Sequence, residues 1–171
     1  MIHVVLLEPE IPQNTGNIAR TCAATGSALH LVEPLGFSLS DRYLKRAGLD
    51  YWPMVRLSVH PSWTALTEAL AGVPFYYFSV CGGRHYAEVS YPEEAAFVFG
   101  RESRGLPRDL LAANRERCLR IPMIPGARSL NLSNSVAVVC YEALRRRGFP
   151  GLEASGALAE PRAEGAWTDY L

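Results

Sequence analysis

Four short stretches are apolar almost from end to end: IHVVLLE at residues 2–8, ALHLVEP at 28–34, VPFYYFSV at 73–80 and AAFVFG at 95–100. Runs of this length, rich in β-branched and aromatic residues, read as strands. Strands this apolar are at home in a parallel sheet that is covered on both faces. MVRLSVH (54–60) and RCLRIPM (117–123) read as two further strands. Helical patterns alternate with them. IPQNTGNIARTCAATG turns at a proline, takes Asn14 or Thr15 as its cap and ends at Gly26. SLSDRYLKRAGLDYW gives a short helix from about Ser40 to Gly48. PSWTALTEALAG, LPRDLLAAN and a last helix stopping at Gly148 complete the series. Strand and helix in alternation predict an α/β fold with a mostly parallel sheet and helices on both faces.

The chain has 171 residues, the length of one domain, expected over residues 1–150. Residues 151–171 form an acidic, Ala/Gly-rich tail, expected to be partly mobile; Trp167, Tyr170 and Leu171 give it something to dock with. No apolar run is long enough to span a membrane, and MIHVVLLEPE lacks the basic start of a signal peptide. Cys22, Cys81, Cys118 and Cys140 form no CxxC pair, and are expected to be reduced thiols in a cytoplasmic protein. His3, His30, His60 and His85 are scattered, give no metal cluster, and read as structural or exposed residues. Formal charges balance, 17 basic against 17 acidic. The acidic tail therefore leaves a small positive excess on the body, almost all of it arginine, since Lys45 is the only lysine. Arginine suits phosphate recognition through its bidentate fork, but genomic codon bias gives the same composition.

In an open α/β sheet ligands bind beyond the carboxyl ends of the strands. Three loops there are unusually rich in Gly, Pro, amides, hydroxyls, Arg and Glu: PQNTGNIAR, FGRESRGLP and IPMIPGARSLNLSNS. Three such loops at one end of a sheet predict a shared pocket. The dinucleotide GxGxxG, the Walker A lysine motif and the GxSxG nucleophile elbow are all missing.

Together the three loops resemble, in order and spacing, the three motifs of the SPOUT RNA 2′-O-methyltransferases, most closely the small tRNA (cytidine/uridine-2′-O)-methyltransferases of the TrmL type. EPEIPQNTGNIAR and KRAGLDYW extend the likeness over about residues 1–151. The resemblance implies a deep C-terminal trefoil knot, which is rare among folds. It implies S-adenosyl-L-methionine as cofactor, a homodimer, and the wobble ribose of a tRNA anticodon stem-loop as substrate, with no membrane or DNA partner. It assigns the catalytic set to Asn14, Arg20, Glu102, Ser129 and Asn131. Cofactor contacts fall to Phe78, Gly100, Ile121, Met123 and Ser129. Phe78 is bulkier than the aliphatic residue expected there. Arg101 stands where a proline or small residue is usual, and its cation is expected to face RNA. Guanidinium is not deprotonated in proteins, so Arg20 is expected to stabilise an alkoxide rather than act as base. Glu102 would steady Arg20 or a backbone amide. Arg42, Lys45, Arg46, Arg84 and Arg128 are candidate phosphate contacts, and Tyr141 is either packing or a stacking platform.

Two alternatives stay open: the same chemistry at another tRNA or rRNA site, and an RNA-binding protein that keeps the fold without catalysis. The complete catalytic set argues against the second.

Overall fold

A computed structural model of the protein describes residues 1–39 and 52–156. Seven strands form one sheet in the order β3-β2-β1-β6-β4-β7-β5. They are β1 (Ile2–Leu7), β2 (Ala28–Val32), β3 (Arg56–His60), β4 (Phe75–Phe78), β5 (Arg84–His85), β6 (Ala95–Phe99) and β7 (Cys118–Arg120). Every pairing is parallel, so all the strands point their carboxyl ends the same way. The six predicted strands are present, with ends trimmed at the proline- and glycine-bearing turns. β5 has no counterpart among them: two residues carry no periodicity to read.

Among the described residues four α-helices lie outside the sheet: α1 (Pro12–Thr25), α2 (Trp63–Ala69), α3 (Arg108–Ala113) and α4 (Leu132–Arg146). The strand side chains alternate between the faces. Ile2, Val4 and Leu6 of β1, with Leu29, Leu31, Phe97 and Phe99, pack against Ile18, Ala19 and Cys22 of α1 and Val136, Val139, Cys140, Ala143 and Leu144 of α4. Val5, Leu7, Val32, Ala96 and Val98 make the opposite layer with Leu66 of α2, Leu70 and Leu106. Gly16 and Ala19 are buried on α1, where small side chains let α4 lie against it. The predicted helix over 40–48, with Arg42, Lys45 and Arg46, lies outside the described residues, as do residues 157–171 of the tail.

The last strand, β7, is inserted between β4 and β5 rather than added at an edge. The chain then returns as α4 to pack on α1. Beyond α4, Arg147 donates to the carbonyls of Glu93 (2.9 Å) and Pro92. Arg145 and Arg146 both bond Glu142 and hold its carboxyl down at about 2.

His3, His30 and His60, on three neighbouring strands, form a line that their spacing along the chain does not suggest. His3 Nδ1 lies 3.0 Å from His30 Nε2, and His30 Nδ1 lies 3.0 Å from His60 Nε2. The line ends on Glu94, whose carboxylate is 3.1 Å from His3 Nε2. A carboxylate only accepts. His3 therefore donates from Nε2; with one hydrogen on each ring, its Nδ1 accepts from His30 Nε2–H, and His30 Nδ1 accepts from His60 Nε2–H. In that arrangement each ring carries its hydrogen on Nε2. Burial, then the neighbouring rings His3 and His60, push His30 down to about 4, and burial lowers His60 too.

This line sets an acid limit on stability. The unfolded chain takes up a proton on His30 near pH 6.5, whereas the folded chain resists until about 4. The stabilisation is thus complete above pH 6.5 and is lost as pH falls towards 4, on the order of 3 kcal/mol in all. Urea unfolding between pH 7.5 and 4 should show that decline, and His30→Gln should flatten it whatever its stability at pH 7.5. An equally steep slope in the variant would remove His30 as its source.

Candidate active site

β1, β4, β6 and β7 are neighbours, and the loops leaving their carboxyl ends enclose a cavity of about 770 Å³. This is within the usual range for a small-molecule site. Its walls are mixed. Phe78, Phe99, Leu106, Ile121, Met123 and Leu132 are apolar, while Asn14, Ser79, Ser129, Asn131 and Ser135 carry amides and hydroxyls. Phe78 and Phe99 stack with centroids 4.9 Å apart.

The loop after β6 turns back on itself. Gly105 N donates to Arg101 O at 2.8 Å, and a Cβ on Gly100 would meet the Gly105 carbonyl carbon at 2.2 Å. Gly105 takes a left-handed φ of +69°, which suits glycine. Gly100 thus lines the cavity because only glycine fits the turn.

That turn projects Glu102 towards the chain that follows β1. One carboxylate oxygen accepts from Glu10 N at 2.8 Å; the other accepts from Ile11 N at 3.3 Å and Asn14 Nδ2 at 3.0 Å. The other end of the Asn14 amide accepts from Asn131 Nδ2 at 2.9 Å. Asn131 Oδ1 in turn accepts from Ser133 N (2.9 Å), Ser133 Oγ (2.7 Å) and Asn134 N (3.3 Å) at the start of α4. Both amides have a unique sense here, because a flip of Asn14 would set its oxygen against Glu102.

Contacts run the other way as well. Glu10 accepts from Ser103 N at 2.9 Å and from Ser103 Oγ at 2.8 Å. Those two bonds hold its carboxyl below the usual carboxylate range. Arg101 pairs with Glu8, which sits at φ 53° as the chain leaves β1.

Several sequence expectations meet in this cavity. Asn14, Glu102 and Asn131 are joined by hydrogen bonds, and Phe78, Gly100, Ile121, Met123 and Ser129 line the same space. Asn14 does not cap α1, contrary to expectation. The helix starts two residues earlier at Pro12, whose missing N–H suits a first turn, and Ile11 is the uncapped flanking residue. Asn14 is left in the first turn, buried, with its amide turned across to the other loops. Arg101 is committed to Glu8 rather than presented alone to RNA. Glu102 holds backbone amides, the second of its two expected roles. Arg20 lies on the exposed face of α1, outside the cavity lining. Tyr141 is 46% exposed and so is not core packing. Glu8, Glu10 and Ser103 are site residues that the sequence does not single out, because nothing local marks a partner about ninety residues away.

Residues 1–141 match the SpoU rRNA Methylase family. The chain belongs to that family. A tRNA (cytidine(34)-2′-O)-methyltransferase of Methylovorus glucosotrophus is 50% identical to this SpoU-family chain over 152 residues, 88% of this chain and 99% of the relative. A solved structure concerned with the 2-OH methylation of C/U34 on tRNA is 52% identical, with a TM-score of 0.83 over 86% of this chain and 97% of its own. An AdoMet-bound rRNA methyltransferase from Sinorhizobium meliloti is 25% identical, with a TM-score of 0.74 over 85% of this chain and 56% of its own.

The Asn14–Glu102 contact is open to an isosteric test. Asn14→Asp sets two carboxylates against each other where an amide now donates at 3.0 Å. Relative to the unsubstituted protein it should lose about 1–3 kcal/mol at pH 7.5. The deficit should shrink towards pH 5 as one carboxyl takes a proton. A deficit independent of pH would show that charge repulsion is not its cause.

Proposed function

We propose that the protein is a cytoplasmic S-adenosyl-L-methionine-dependent 2′-O-ribose methyltransferase that acts on the pyrimidine nucleotide at the tRNA anticodon wobble position. What carries this reading is the closure of one cavity by the three motif-like loops, in a chain half-identical almost end to end to the Methylovorus enzyme. The cavity suits the cofactor by its chemistry. Phe78, Ile121, Met123 and Leu132 offer apolar surface to a flat base, and the hydroxyl of Ser129 suits a ribose. The cofactor supplies an activated methyl group on a cationic sulfur.

The chain's own work is positioning and electrostatics. Asn131 and Ser129 stand where the last loop enters α4 and shape the wall next to the reacting ribose. Asn14 and Glu102 brace that wall against the loops after β1 and β6. Glu102 is a brace rather than a base, its oxygens already receiving three donors. Arg20 stabilises the developing negative charge on the ribose oxygen while remaining protonated.

We further infer a homodimer. Tyr141 and Val138 on α4 and Leu130 just before it are exposed apolar residues, suited to a partner surface. Arg20 stands on the exposed side of α1 and would serve the partner's cavity. The insertion of β7 between β4 and β5 fits passage of the chain through a C-terminal knot, within a single domain over residues 1–150.

Calorimetry should show saturable S-adenosylmethionine binding, and nucleoside mass spectrometry of tRNA should show a 2′-O-methylpyrimidine that disappears with the gene. Absence of both would sink the reading. Arg20→Ala should keep cofactor binding and lose about a hundredfold or more in turnover. Co-expressed Arg20→Ala and Asn131→Ala chains, each inactive alone, should regain activity in the mixed dimer, where one site has both residues. Failure to complement would place Arg20 in its own chain's site.

A further inference from the structure

Of the charged residues that line the cavity, four are arginines and one is Glu102. Their commitments differ. Arg101 is paired with Glu8, and Glu102 is occupied by two backbone amides and Asn14. Arg104, Arg108 and Arg128 are exposed, and no carboxylate of the described residues lies within salt-bridge distance of them. They come from separate parts of the chain: Arg104 from the turn after β6, Arg108 from the start of α3, and Arg128 from the loop between β7 and α4. The carboxylate of Glu10 feels Arg104 but is bonded to Ser103. The lining of the cavity therefore carries an excess of positive charge contributed by separate segments of the chain.

We propose that Arg104, Arg108 and Arg128 form a clamp for RNA phosphodiesters, gripping the backbone on either side of the nucleotide whose ribose enters the cavity. This rests on the function proposed above and adds the residues that hold the substrate. A ribose presented at the mouth brings its own two flanking phosphates with it. Forked guanidiniums from separate segments of the chain can each take one bidentately and so fix the sugar's position without reading the base. Arg128 is one of several phosphate candidates in the sequence. Arg104 and Arg108 are not among them, since only the folded turn and α3 bring them to the same opening.

The rival ligand for these cations is the carboxylate of the cofactor, and the experiment separates the two. Binding of a synthetic RNA stem-loop with an unmodified wobble pyrimidine is measured against salt concentration, and S-adenosylmethionine binding is measured in parallel. The triple variant R104A/R108A/R128A should bind the RNA about tenfold or more weakly, and the slope of log K against log salt should shrink by about 1.4, near 0.7 for each of the two phosphates no longer neutralised. Cofactor affinity should be unchanged. The corresponding triple lysine variant, which keeps the charge, should retain the slope, so that misfolding cannot mimic the result. The charge-neutral double variant E8Q/R101Q should also retain it, because that pair is internally compensated. An unchanged slope in the alanine variant would overturn the clamp, as would weakened cofactor binding with RNA binding intact. Should the unsubstituted protein bind RNA with the expected slope yet form no 2′-O-methylpyrimidine, the clamp stands and the proposed chemistry fails.

Discussion

The arrangement of the site depends on the side-chain amide of Asn14. It is a small group with one donating and one accepting end, and both are used between loops. The donating end meets Glu102 from the loop after β6; the accepting end meets Asn131 before α4. A parallel sheet brings the carboxyl ends of β1, β6 and β7 to one side, but it does not fix how their loops stand relative to one another. That is done by this amide and by the carboxylate it touches. The same Asn131 side chain also satisfies amides at the start of α4 through its oxygen, donors that a helix cannot pair internally. Helix capping and site construction therefore share one side chain.

The loops after β1 and β6 are joined reciprocally. A carboxylate on each accepts backbone N–H groups of the other: Glu102 from Glu10 and Ile11, Glu10 from Ser103. Glu8 and Arg101 add an ion pair across the same seam. The consequence is electrostatic as well as mechanical. Three carboxylates close to the cavity are bonded within the seam itself, and none of them forms an ion pair with Arg104, Arg108 or Arg128. A chain with no formal net charge can in this way present a positive opening to an anionic polymer. The arrangement of charge is informative where the total is not.

The alternation of apolar strands and helices is legible in the sequence because it is periodic and local, and the parallel sheet follows from it. The three loops are legible as a set for a different reason. Their Gly, Pro and amide content exceeds what a turn needs, and as a group they resemble known motifs. What escapes is mostly long-range. Asn14 looks like a cap by its position ahead of a small-residue helix, yet Pro12 starts the helix and frees Asn14 for a tertiary bond. The cavity-side roles of Glu10 and Ser103 exist only once residues 93 positions apart are neighbours. The histidines look scattered because spacings of 27 and 30 residues have no meaning along the chain. They acquire one only through strand register.

That histidine line also shows how the sheet divides its tasks. It crosses β1, β2 and β3 within the half of the sheet that leads away from the cavity. The cavity opens over β1, β6, β4 and β7. On the cavity side of β1, the bonds from Ser103 favour the charged form of Glu10. On the other, the rings of His30 and His60 are kept neutral by burial. Acid should therefore weaken the scaffold at β2 and β3 before it alters the bonds of Glu10 that tie the loops together. A loss of activity as pH falls from 6.5 would then track the folded fraction.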